Sequence, residues 1–106
     1  MIKYNNNTIK TIDINVKEWF DKTYGNSYFA GTVTINFGFL DQKTFKMPFQ
    51  YGYGSHYIDM AGELLEKNNV IHLSKHQALW AFCKDHNIIL RTYKQENCLK
   101  RELLNI

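Results

Sequence analysis

The chain has 106 residues, 44% of them hydrophobic and 22% charged, and carries a net charge of +3. That length has room for a single domain, and the seven phenylalanines, seven tyrosines and two tryptophans exclude a disordered tail. The mild charge excludes an acidic DNA mimic and argues against a protein held on nucleic acid mainly by electrostatics.

The N-terminal stretch from Met1 to Lys10 has no long apolar run, and no segment reaches the ~20 apolar residues that span a bilayer, so neither secretion nor membrane insertion is expected. The asparagine run Asn5–Asn7 marks residues 1–8 as a loosely ordered terminus. From Ile12 the pattern has period two. Ile12, Ile14 and Val16 share a face opposite Thr11, Asp13, Asn15 and Lys17, a strand that can run on to Phe20. Gly25-Asn26 can supply the positive-φ positions of a hairpin turn. Phe29, Val33, Ile35 and Phe37 then alternate with Tyr28, Thr32, Thr34 and Asn36 as a second strand. In a third, Phe45, Met47, Phe49 and Tyr51 oppose Lys46 and Gln50. Pro48 cannot donate to a ladder, which makes this third strand an edge or gives it a bulge. The three strands form an antiparallel meander with one apolar face.

After Gly52 and Gly54 the period lengthens. Ser55 is placed to cap a helix whose stripe is Tyr57, Ala61, Leu64 and Leu65, with Asp59 in its first turn. Ser74-Lys75-His76-Gln77 reads as a capping box opening a second helix, with Leu73 and Ala78 as a staple and Leu79, Phe82, Cys83 and His86 on one face. Asn87 ends it. Ile88 to Tyr93 is a fourth strand, and Thr92–Gln95 would cap a last helix in which Cys98 or Leu99 and Leu103 point inward, with Glu96 and Lys100 as an i,i+4 pair. The expected fold is α+β: a three- to four-stranded antiparallel meander with two to three helices on one face, in the order β-β-β-α-α-β-α.

Two cysteines, Cys83 and Cys98, make no disulfide framework and point to a reducing cytosol. His72, His76, Cys83 and His86 invite a zinc reading, but the short knuckle of paired ligands that structural zinc uses is missing. Ser55-His56 is no nucleophile and base, because neighbouring side chains at a helix start diverge. Gly52-Tyr53-Gly54 lacks the third glycine and the lysine of phosphate loops. No catalytic residue, metal or other cofactor is expected, and the chain reads as a non-enzyme. A solvated face accounts for the basic group Lys84, Arg91, Lys94, Lys100 and Arg101.

The strongest signal outside the core is aromatic. Trp19, Tyr24 and Tyr28 gather at the first hairpin, with Trp19 and Tyr28 on the face opposite Ile12 and Val33; Tyr51, Tyr53, His56 and Tyr57 crowd the loop after the third strand. Such rings either cover the second face of the sheet beneath the last helix or form a recognition patch for a partner. Nucleic acid is the alternative partner, and only Lys17 and Lys22 interleave with the rings to serve it. An exposed strand edge near Pro48 or beyond the first strand could pair with a second copy.

The segments Tyr24-Gly-Asn-Ser-Tyr28 and Pro48-Phe-Gln-Tyr-Gly-Tyr-Gly-Ser-His-Tyr57 resemble a pattern found in small uncharacterised proteins of tailed bacteriophages and prophages. The likeness runs from Ile12 to Leu65 and brings no catalytic residues with it. It implies an accessory phage protein acting in the host cytoplasm. The expected role is to bind and block a host protein or ribonucleoprotein, of the anti-CRISPR or anti-defence type; a nucleic-acid-binding accessory protein is the alternative.

Overall fold

The structure, a computed structural model, describes residues 8–106. Of the expected loose terminus only Thr8 falls among them; Asn5–Asn7 lie outside the described residues. The elements follow the expected order: β1 (Thr11–Asp21), β2 (Asn26–Ile35), β3 (Lys43–Tyr51), α1 (His56–Lys67), α2 (Leu79–Asp85), β4 (Ile89–Gln95) and α3 (Lys100–Leu104). The fold is α+β, built on one four-stranded sheet of order β3-β2-β1-β4.

β1 and β2 pair antiparallel from Ile12↔Ile35 to Asp21↔Asn26. Their turn is closed by the Gly25 amide donating to Asp21 O at 2.7 Å and the Thr23 amide donating to Asp21 Oδ1 at 2.9 Å. Gly25 alone supplies the positive φ, +72°, and Asn26 already belongs to β2. Gly31 faces Val16 where the strands come so close that a Cβ would run into the backbone of Asn15 and Val16. Only glycine fits there.

β3 is an edge strand and also carries a bulge. Phe29 pairs with Gln50 but Gly31 with Met47, so Pro48 and Phe49 together oppose Ala30. The extra residue flips the strand's alternation. Phe45 and Met47 join the main core, whereas Phe49 packs on the other side of the sheet with Trp19 and Tyr28. The expected single face Phe45–Met47–Phe49–Tyr51 is therefore broken at Pro48. Phe37 also departs from expectation: Asn36 takes φ +54°, β2 ends at Ile35, and the Phe37 ring is exposed.

β3 leaves the sheet at one edge, and the chain crosses a single face as α1 and α2 before adding β4 beside β1 at the other edge. β1 and β3 run in one sense, and a helical crossover returns the chain to the same end, so β4 pairs parallel to β1, Thr11↔Ile89 through Lys17↔Gln95. The sheet is thus mixed rather than wholly antiparallel. β4 also occupies the outer side of β1, so the open edges are β3 and β4.

Two apolar layers form. On the crossover face Ile12, Ile14, Val16, Phe29, Val33, Ile35 and Met47 pack against Tyr57, Ala61 and Leu65 of α1 and Leu79, Phe82 and Cys83 of α2. On the opposite face α3 buries Leu103 with Ala30 and Cys98, backed by Trp19, Tyr28, Phe49 and Ile106. Two helices share a face; the third takes the other.

Helix starts differ from the sequence signals. Ser55 is the N-cap of α1, but its side chain makes no capping bond. α2 begins at Leu79 with Ala78 as N-cap. Ser74–Gln77 instead forms a separate turn, in which the Ser74 amide donates to Gln77 Oε1 at 3.0 Å and His76 takes φ +64°. That left-handed residue prevents the box from continuing into a helix. Asn87, φ +55°, does end α2. Thr92–Gln95 is strand, not cap; α3 starts after Leu99, whose amide donates to Glu102 Oε2 at 2.6 Å. Of the two inward candidates Cys98 is buried and Leu99 exposed, and Glu96 pairs with Lys94 at 3.6 Å rather than with Lys100.

Candidate recognition surface

The hairpin register places Trp19 opposite Tyr28, and the β2–β3 register places Tyr28 opposite Tyr51, so three rings form one row across three strands. Cross-strand aromatic neighbours at this spacing are in contact. Trp19 and Tyr28 stack at 5.5 Å between centroids, Tyr28 and Phe49 at 5.1 Å with planes 10° apart, and Tyr51 meets Tyr28 edge-on at 5.9 Å. Phe49 belongs to this row because of the Pro48 bulge. Alternation alone hid it.

The row divides by exposure. Trp19, Tyr28 and Phe49 are half-buried beneath α3, and Lys100 lies 5.4 Å above the Trp19 ring. They form a platform. Beside it Tyr51 is 56% exposed, Tyr53 70% and Tyr24, at the hairpin tip, 77%. Tyr57 is buried in the main core, unlike the exposed rings around it. His56 is exposed, its ring edge-on to Phe29 at 6.2 Å. The Gly52 amide donates to Ser27 O at 3.0 Å, which ties the loop after β3 to the hairpin end of the sheet. The two aromatic segments of the sequence therefore meet at one end of the molecule.

Tyr51, Gly52, Tyr53, Gly54, Ser55, His56 and Asp59 line a shallow depression of about 470 Å³. A second cleft of about 390 Å³ lies between the hairpin, at Trp19–Thr23, and the residues Asn97–Leu99. Exposed Phe20 and Leu99 add apolar area to its rim.

Lys94 holds this end together: expected on a solvated face, it is instead largely buried and paired. Its Nζ lies 3.2 Å from Glu18 Oε2, donates to Gly54 O at 3.1 Å, and sits 5.8 Å from the centre of the Tyr57 ring. One cation thus pins the β3–α1 loop to β1 and β4. Lysines in a final strand give no sequence sign of such a role, since their partners are far away in the chain.

The cations nearest the rings are engaged within the chain: Lys17 pairs with Glu102 at 3.8 Å, Lys94 with Glu18, and Lys100 with Trp19, while Lys22 is exposed in the turn. The residues raised for zinc are scattered: His76 precedes α2, Cys83 is buried under it, and His86 packs on Phe82 at 4.5 Å. Among the described residues no group of three or more His, Cys, Asp or Glu side chains could hold a metal ion. Burial raises the Cys83 thiol to about 11, which keeps it a thiol at neutral pH. No described helix is long and apolar enough to cross a membrane. No known protein family, curated protein or solved structure matches the chain.

Proposed function

We propose that this protein is a phage-encoded, non-enzymatic binding protein that acts in the host cytoplasm by occupying a host protein or ribonucleoprotein, of the anti-CRISPR or anti-defence kind. The observation that supports binding is the exposure of Tyr24, Tyr51 and Tyr53 at the end of the sheet that carries the stacked rings Trp19, Tyr28 and Phe49, with Tyr51 edge-on to Tyr28. Tyr51 packs edge-on against Tyr28 of that platform and so loses less freedom on association, and tyrosine and tryptophan are enriched among the anchors of protein interfaces. The step to phage and host rests on the resemblance of Tyr24–Tyr28 and Pro48–Tyr57.

The contact surface is Tyr24, Tyr51, Tyr53 and His56, with Trp19 and Tyr28 stacked next to Tyr51. Each ring that acts as an anchor contributes ~2 kcal/mol, so losing two or more reduces affinity over a hundredfold. Expression in a bacterium with active CRISPR or other phage defence should restore plaque formation by a targeted phage. The triple variant Tyr24→Ala/Tyr51→Ala/Tyr53→Ala should fold and fail to do so. A wild-type protein that relieves no defence, or a triple variant as active as wild type, removes this reading. Binding to DNA or RNA that collapses with added salt would move it to the nucleic-acid alternative.

A further inference from the structure

The two edges of the sheet are treated differently. β3 is protected by Pro48, by its bulge and by Lys43 and Lys46, the devices that keep strand edges from pairing. β4 has neither proline nor bulge. Its seven residues, Ile89-Leu-Arg-Thr-Tyr-Lys-Gln95, contain no proline or glycine, and they pair with β1 through seven consecutive positions without a register shift. The Ile89 amide donates to Lys10 O at 3.0 Å, so Ile89, Arg91, Tyr93 and Gln95 direct their backbone groups toward β1. Leu90, Thr92 and Lys94 direct theirs outward, and no described strand lies beyond them.

Charge does not guard this edge either. Arg91 is turned back across β1, its Nε 2.6 Å from Asp13 Oδ1 and its Nη2 3.0 Å from Oδ2. Lys94 is neutralised by Glu18 at 3.2 Å and Glu96 at 3.6 Å. Both cations of β4 are thus satisfied inside the chain. Ile89 and Tyr93 are exposed on the same side of the strand.

We infer that β4 is a dimerisation edge and that its occupant is β4 of a second copy, antiparallel about a two-fold axis at Thr92. This register sets Thr92 against Thr92, Leu90 against Lys94 and Arg91 against Tyr93. All three outward-facing residues then fall in hydrogen-bonded pairs. The central pairs oppose no like charges, and Arg91, already held by Asp13, meets a tyrosine ring. The two sheets join into one of eight strands. The inference does not rest on the host-binding reading, because β4 contributes none of the contact residues proposed there.

Thr92→Pro tests it directly. The Thr92 amide points outward, so proline removes no bond to β1 but removes a donor at the centre of the proposed interface. Light scattering and sedimentation should give the mass of two wild-type chains with a concentration-dependent equilibrium, and one chain for Thr92→Pro with an unchanged far-UV spectrum. Thr92→Cys should form a reducible cross-linked dimer on mild oxidation, because the axis brings residue 92 of both copies to disulfide range; cysteine at exposed Ser55 should not. Wild-type protein that stays monomeric up to millimolar concentration overturns the inference, including the case in which the edge takes an extended segment of another protein. A dimer that forms without the Thr92→Cys cross-link overturns it too.

Discussion

At the scale of single residues, Asn36 does more for the fold than its place just past a strand suggests. It adopts φ +54°, a conformation that asparagine accepts more readily than most residues, and this turns the chain out of β2. Its buried side chain then joins three segments. Oδ1 accepts from the Lys10 and Thr11 amides at 2.6 and 3.2 Å, while Nδ2 donates to Thr8 O at 2.9 Å and Asp41 Oδ2 at 3.0 Å. Asn36→Ala removes all four bonds, of which the one to the Thr11 amide is buried, and should destabilise the protein by ~1–3 kcal/mol in urea titration. Asn36→Gly relieves the backbone strain yet lacks the amide, so it should recover only a small part of that loss. A near-neutral Asn36→Ala would show that the four bonds contribute little. The role was illegible in the sequence because alternation assigns Asn36 merely to the polar side of a strand. What makes it a hub is its neighbours from Thr8 to Thr11, which are distant in sequence.

Among the elements, α3 is the least obvious and sets the state of the aromatic platform. It has five residues, too few to be stable alone, so it persists through what it covers. Leu103, 1% exposed, is its anchor over Ala30, with Trp19, Tyr28 and Phe49 around it. Leu103→Ala should cost ~2–4 kcal/mol and loosen the helix. Trp80 is already 62% exposed, so a red shift of tryptophan emission in this variant reports on Trp19. Unchanged emission would mean that α3 does not shield the ring. The strands β1 and β2 were legible because the period is two and one face is buried at Ile12, Ile14 and Val16 and at Phe29, Gly31, Val33 and Ile35. β3 was half legible: Pro48 signalled an irregularity, but which rings it sent to which face depends on the partner strand. The start of α2 was misplaced because the Ser74–Gln77 signature forms its backward bond within an isolated turn once His76 turns left-handed.

For the whole molecule, the helix-strand order could be read from changes of period, whereas the sense of β4 and the side taken by α3 required knowing where each crossover ends. The same separation of layers puts binding and stability on different groups: the exposed tyrosines lie outside both apolar clusters, while the free thiol Cys83 lies inside the larger one under α2. That burial raises the thiol from 9.0 to about 11 by withholding water from the thiolate. A group whose folded value is raised stabilises the native state fully below its unfolded value. Above pH 9.0 the unfolded chain releases the proton and the folded chain keeps it, so this contribution declines as pH rises toward about 11. Other groups titrate in that window, and Cys83→Ala isolates the thiol. The stability difference between wild type and Cys83→Ala should be constant from neutral pH to about 9 and should shrink from there to about 11. Alkylation of Cys83 at pH 8 should require unfolding and so follow the global stability. A difference that is flat across the whole alkaline range, or rapid alkylation of the folded protein, would place Cys83 in contact with solvent and α2 loosely on the sheet.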